Sequence, residues 1–217
     1  ITAAAAGTLM LVVRVLDAIT DPVMGGIADR TNTRWGRYRP YLILTSIPFA
    51  ILAVVAFMTP DISDASKLVY AYITYALLTL AYTAVNIPYS ALGGVITGNI
   101  KERVSLQSVR FACAMLGGVL VTAFMMEMVE WFGGGDEAKG YTLAMAVYAV
   151  LAMACFVLCF LSTRERVTPP VDERKTTITE DLSRLVKNDQ FMLVALIALV
   201  MLVSVAMRGA VTPYYVE

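Results

Sequence analysis

The sequence has 217 residues, of which 59% are hydrophobic and 16% charged, with seventeen basic and seventeen acidic side chains, no histidine and a mean hydropathy of +0.71. Soluble domains carry about a quarter charged residues, so this balance excludes an ordinary water-soluble globule, and no nucleic-acid partner is expected. With no histidine, no metal-ligand cluster and no nucleophile–base pair in view, an enzymatic reaction centre is not expected either. Cys113, Cys155 and Cys159 all fall inside apolar runs, where a disulfide framework or zinc site is not expected.

A helix needs about 20 apolar residues to cross a bilayer core. Six stretches meet that length, at approximately 3–28, 41–59, 68–96, 106–131, 141–161 and 191–212, separated by polar connectors at 29–40, 60–67, 97–105, 132–140 and 162–190. The expected fold class is therefore an all-α polytopic membrane protein. No secretory signal is visible, because the first stretch carries charges that a signal peptide's apolar region lacks. The chain opens on Ile1 and ends at Glu217 just after an apolar run, so it is expected to be a portion of a longer protein. Small-residue spacings such as Gly94 to Gly98 suit close helix contact in lipid.

The connectors alternate in charge. Those at 29–40, 97–105 and 162–190 carry most of the Lys and Arg, from Arg30, Arg34, Arg37 and Arg39 through Lys101 and Arg103 to Lys187. The intervening connectors hold only Lys67 and Lys139. The positive-inside rule puts the first group in the cytoplasm, with the first segment running from outside to inside. In the long connector, Pro169-Pro170 breaks any helix, and Thr177 with Glu180 offers a capping box for a short surface helix carrying Ile178, Leu182, Leu185 and Val186.

Chemistry begins in the first segment, where Arg14, Asp17 and Asp21 stand at i, i+3 and i+7 and so form one stripe. Each charge costs roughly 2.5–3.5 kcal/mol at the centre of a membrane helix. The stripe must face protein or an aqueous cavity, and one Arg against two Asp leaves a net anion for a cation or proton to neutralise. Pro22 frees the carbonyl of Ala18, adding hard-oxygen character suited to Na+ or H+ rather than a soft metal. The alternative is an internal salt bridge that only fixes helix packing. In the third segment Thr83, Asn86 and Ser90 repeat the same spacing behind Tyr82, and Pro88 frees the carbonyl of Ala84. Such groups bind a polyol, complete a cation shell or hydrogen-bond between helices. Gln107 and Arg110 follow at i, i+3 in the fourth segment.

These residues carry a resemblance. Asp17-x-x-x-Asp21-Pro22-x-Met24-Gly25, then Asp29-Arg30-Thr31 and Arg34-Trp35-Gly36-Arg37-Tyr38-Arg39-Pro40, resembles the glycoside–pentoside–hexuronide:cation symporters, the melibiose-permease branch of the major facilitator superfamily. The likeness continues through Tyr82-Thr83, Asn86-Ile87-Pro88 and Arg110-Phe111 to Lys187-Asn188-Asp189-Gln190, covering essentially the whole chain. It implies a twelve-helix bundle of which this chain holds the second to seventh helices: 1–161 most of the N-terminal half, 162–190 the central cytoplasmic loop, and 191–217 the first helix of the C-terminal half. It further implies cation binding at Asp17, Asp21 and Thr83, solute binding at Asn86, Arg110, Tyr82 and Arg14, and a conformational latch at Gly25, Asp29, Arg30 and Arg37. The branch has a carboxylate where this chain has Asn86 and a tryptophan where it has Ser90, so cation coupling carries over more firmly than any one sugar.

The function expected is Na+- or H+-coupled symport of a sugar or glycoside by alternating access across the inner membrane, with no cofactor beyond the coupling ion and with lipid, solute and cation as partners. The alternatives are transport or export of a non-sugar solute, and a membrane scaffold or sensor without a transport cycle.

Overall fold

The computed structural model describes residues 3–58, 60, 62–167 and 183–211, and the chain divides into two compact units, Ile1–Pro169 and Pro170–Glu217. The first unit holds α1 (Ala3–Arg30), α2 (Arg39–Leu44), α3 (Ser46–Phe57), α4 (Asp64–Val95), α5 (Ile100–Gly133) and α6 (Glu137–Ser162); the second holds α7 (Asp189–Val211). Each of the six apolar stretches is helical, and the described residues form no strand beyond one bridge between Thr33 and Gly36. Among the described residues four runs are long and apolar enough to cross a membrane: Arg39–Phe57, Ser66–Val95, Ile100–Gly133 and Glu137–Ser162. The 28-residue α1 has the length, but carries Arg14, Asp17 and Asp21 along it.

The second stretch is broken into α2 and α3 at Thr45 for a local reason. Pro48 has no N–H for the carbonyl one turn before it, and the Thr45 hydroxyl bonds back to the Tyr41 carbonyl, a contact that bends helices. The same hydroxyl reaches the Ala84 carbonyl of α4 at 3.4 Å. The carbonyl freed by Pro88 thus has a long contact from a neighbouring helix, and α4 continues unbroken past the proline.

In this unit α4 packs against α1, α2 and α3, while α6 packs against α2, α3 and α5; α5 touches α4 only lightly. The tightest core lies at one end, where Ala28 of α1, Tyr38, Leu42 of α2, and Leu92 and Val95 of α4 are buried together with Val167 against them. This is the end that carries the basic connectors. It is closed by one carboxylate: Glu165, in the segment after α6, accepts backbone N–H bonds from Arg37, Tyr38 and Arg39 at 2.9, 2.8 and 3.1 Å. These are N–H groups at the start of α2, which has no earlier turn to satisfy them. Gly36 makes the seat, since its φ is +111° and a Cβ there would run into the Glu165 carboxylate. Arg39 adds bonds to the Phe160 and Trp35 carbonyls and lies over the Phe160 ring. Arg166 and Val167 both donate to the Val95 carbonyl at 3.0 Å. Five residues after α6 thus tie down the ends of α2 and α4.

At the opposite end Thr142 donates to the Phe57 carbonyl, and α5 and α6 cross closely. A Cβ on Gly140 would collide with the Val129 carbonyl oxygen, and one on Gly133 would lie 3.3 Å from the Gly140 Cα. The small residues that matter for close contact are these two. The expectation for Gly94 is corrected, since a Cβ there would meet open space, and at Gly98 it would make only an ordinary contact with Val167.

In the second unit the Asn188 side chain caps α7, accepting from the N–H groups of Gln190 and Phe191 at 3.1 and 3.2 Å. Leu185 and Val186 lie exposed in a helical turn at 183–186. The Thr177–Glu180 capping box, with Ile178 and Leu182, lies outside the described residues.

Two stability predictions follow from these contacts. Glu165→Ala strips three N–H groups of a charged acceptor, a loss of about 2 kcal/mol, and should lower the apparent melting temperature in detergent by roughly 4–8 °C; Glu165→Gln should lower it by less. An unchanged melting temperature in Glu165→Ala would show that the cradle is not holding the end of the bundle. Gly140→Ala should destabilise at least as strongly by forcing α5 and α6 apart, whereas Gly94→Ala should have little effect in the same assay.

Candidate functional site

The acidic stripe of α1 faces α4. The two helices pack together here, with Gly25 opposite the Ile87 side chain, where a Cβ would make only an ordinary contact at 3.8 Å. Thr83 of α4 is buried, at 4% exposure, and its hydroxyl donates to Asp21 Oδ1 at 3.0 Å. One turn earlier, Asp17 Oδ2 stands 3.5 Å from Arg14 Nη1. That pair is a loose restraint, since it sits at the outer limit of a hydrogen bond and the Arg14 side chain is 85% exposed. The other oxygen, Asp17 Oδ1, is buried and has no hydrogen-bond partner among the described residues; the hydroxyl of Thr20 is in the same condition.

Buried polar atoms are nearly always partnered, so two orphans on successive turns beside a second carboxylate are informative. Asp17, Thr20 and Asp21 share one face of α1 by their three- and four-residue spacing, and Thr83 closes the set from α4. The donors are carboxylate and hydroxyl oxygens, hard ligands that suit a small hard cation. Without a cation, the pair has one loosely held Arg and one hydroxyl to offset two negative charges.

A second cluster lies where α4 touches α5. Arg110 of α5 donates to Ser90 Oγ of α4 at 3.1 Å and approaches Gln107 Oε1 at 3.5 Å. Its guanidinium carbon lies 4.3 Å from the centre of the Tyr89 ring. Asn86 stands on α4 between Thr83 and Ser90, one turn from each, and is half-buried without a hydrogen bond among the described residues. The three-residue stripe of α4 is thus divided between the acidic pair at one end and the arginine at the other. Tyr82 is more exposed and turns its ring toward Phe49 of α3 at 6.2 Å.

Of the residues expected to form a latch, Asp29, Arg30 and Arg37 lie at the basic end, while Gly25 lies opposite Ile87. Tyr38 donates its hydroxyl to Asp29 Oδ1 at 2.7 Å. Burial and the adjoining Asp29 carboxylate push the Tyr38 phenol well up, so it stays neutral and a donor. Arg37 gives its backbone N–H to Glu165, and Arg30 is also engaged. Sequence reasoning missed Thr20, Tyr89 and Glu165. Thr20 could have been found by projecting α1 as a helix, where its three-residue spacing from Asp17 puts it at the edge of the acidic face. Nothing local marks Glu165, which is 126 to 128 residues from its three partners.

Comparison with known proteins places the chain in a family. The model of the MFS/sugar transport protein family matches residues 1–217. The chain is 47% identical over 210 residues to the inner membrane symporter YicJ of Escherichia coli (strain K12), covering 97% of this chain and 45% of that protein. It is 44% identical over 211 residues to the putative glycoside/cation symporter YagG of the same organism, covering 97% and 46%. With the isoprimeverose transporter of Lactiplantibacillus pentosus the identity is 36% over 217 residues, covering 99% and 45%. The chain spans about half the length of the curated relatives it matches. An all-α, multi-pass membrane chain with a half-buried acidic pair, matched from end to end by this family model, belongs to the MFS/sugar transport proteins.

Proposed function

We propose that the full-length protein is a secondary active transporter of the inner membrane that couples a cation to the symport of a sugar or glycoside by alternating access. The observation that carries this reading is the oxygen set at the α1–α4 contact: Asp21 bonded to Thr83, with Asp17 Oδ1 and Thr20 Oγ1 buried and unpartnered beside it. Relatives named as symporters, one of them for glycosides and cations, support the coupling, and the isoprimeverose transporter supports a sugar solute.

Of the two candidate ions, Na+ makes fuller use of the set. A proton needs one carboxylate, whereas Na+ draws on two carboxylates and two hydroxyls. With the cation bound, α1 and α4 lose the repulsion between Asp17 and Asp21 and can close on it. Asn86, one turn along α4 from Thr83, then links that closure to the solute side at Ser90 and Arg110. By thermodynamic reciprocity the solute raises cation affinity by the factor by which the cation raises solute affinity. Rocking of the two halves exposes the midplane site to each side in turn.

The test is uptake of a panel of labelled glycosides, including isoprimeverose, by cells expressing the full-length protein with and without a Na+ gradient. Uptake should be Na+-stimulated and lost in Asp21→Asn. Thr83→Ala and Thr20→Ala should each raise the Na+ concentration for half-maximal stimulation by roughly tenfold, one ligand's worth of affinity. Uptake that ignores Na+ but collapses with a proton uncoupler would change the ion to H+. Unaltered coupling in both Asp17→Asn and Asp21→Asn would remove the acidic pair from the mechanism.

A further inference from the structure

The loop before α2 and the segment after α6 meet on one surface at the basic end of the first unit. The Glu165 carboxylate lies against Gly36, and the Trp35 ring meets Phe160 edge-on, with ring centres 5.9 Å apart. Residues 29–39 and 160–166 together carry six arginines against two carboxylates. Asp29 accepts the Tyr38 hydroxyl, and Glu165 accepts three backbone N–H groups. Among the described residues neither forms an ion pair with Arg34 or Arg164, and both of these arginines are exposed. The Arg34 guanidinium lies 4.8 Å from the centre of the Trp35 ring. Trp35 is 45% exposed, and its indole N–H has no hydrogen-bond partner among the described residues.

The helices below put this surface at a membrane boundary. Both α6 and the α2–α3 run are long and apolar enough to cross a bilayer. Leu151, Leu158 and Leu161 stay exposed along α6 up to its last turn, as do Leu44, Ile47 and Ile51 along α2 and α3. Arg164 follows the α6 stripe by three residues, and Trp35 packs on Phe160 beside the last leucine. Tryptophan is enriched at the headgroup level, and the positive-inside rule puts this end at the cytoplasmic face.

We propose that Arg34, Trp35 and Arg164 form a docking site for the headgroup of an anionic phospholipid in the cytoplasmic leaflet. The two guanidinium groups offer charge-assisted N–H donors to the phosphodiester oxygens. The indole N–H adds a neutral donor, and the acyl chains run down the leucine stripe of α6. Trp35 and Arg164 each adjoin a residue of the Glu165 clasp, so a lipid held there also steadies the start of α2. The site is separate from the acidic pair and from Arg110, and does not depend on which ion or solute is carried.

The test is native mass spectrometry of the delipidated full-length protein offered equal amounts of phosphatidylglycerol and phosphatidylcholine with matched acyl chains. The first lipid retained should be phosphatidylglycerol by about fivefold or more, the scale of one basic side chain at an anionic surface. Arg34→Gln combined with Arg164→Gln should bring that ratio to within about twofold. Arg34→Lys with Arg164→Lys should keep most of it, and Lys139→Gln, at the opposite end, should leave it unchanged. Because the ratio is taken within each variant, differences in the amount of folded protein cancel. Glycerol 1-phosphate carries a phosphate without acyl chains and should not displace the lipid at the same concentration. Displacement by it would mean that the arginines take a soluble phosphate ester, overturning the lipid site. Equal retention of the two lipids by the native protein would show that the charge is neutralised within the full-length protein. Full preference kept in the double glutamine variant would put the anionic-lipid site elsewhere. Either result overturns the inference.

Discussion

An ionised carboxylate inside an apolar span is costly unless its oxygens meet donors or a cation, and α1 carries two of them one turn apart. Much of the first unit can be read as an answer to that constraint. α1 packs against α4, and the buried Thr83 hydroxyl meets Asp21 across the contact. Arg14 leans on Asp17 from a mostly exposed position. The answer is incomplete in a specific way, because one Asp17 oxygen and the Thr20 hydroxyl are buried without partners. A fully satisfied pair would be a structural salt bridge. An acidic pair left short of positive charge, with hydroxyls turned to it, has the character of a binding site.

The basic end of the unit shows the opposite style. There the groups are more fully bonded: three N–H bonds fall on Glu165, two on the Val95 carbonyl, and Arg39 is held by two carbonyls and a ring, with its Nε alone left buried and unpartnered among the described residues of that end. Asp29 takes a tyrosine hydroxyl, and the carboxylate that organises the basic loop binds its backbone rather than its guanidinium groups. Backbone N–H groups have fixed direction, so this clasp sets the start of α2 more exactly than a flexible ion pair could. A closely bonded end thus stands beside an under-satisfied middle.

Between the acidic pair and Arg110, α4 serves as the common wall. Thr83 faces α1, Ser90 faces α5, and Asn86 lies between them. Pro88 falls within this stretch, and α4 is unbroken across it, with the Thr45 hydroxyl 3.4 Å from the Ala84 carbonyl that the proline releases.

The sequence by itself determined the class, the helices and the stripes. Runs of apolar residues long enough to cross a bilayer have few other fates, and a three- and four-residue spacing puts side chains on one face of any helix they form. Asp17 with Asp21, Thr83 with Ser90, and Gln107 with Arg110 were legible for that reason, as was the family motif that runs through them. The tertiary structure decided which stripe meets which. Asp21 finds Thr83 across 62 residues, and Arg110 finds Ser90 across 20. Glu165 finds the α2 start across about 127, and Gly140, not Gly94, marks the close crossing. These depend on how far each helix is rotated about its axis and where its ends are pinned, and a periodic pattern on one helix is the same whichever neighbour it turns toward.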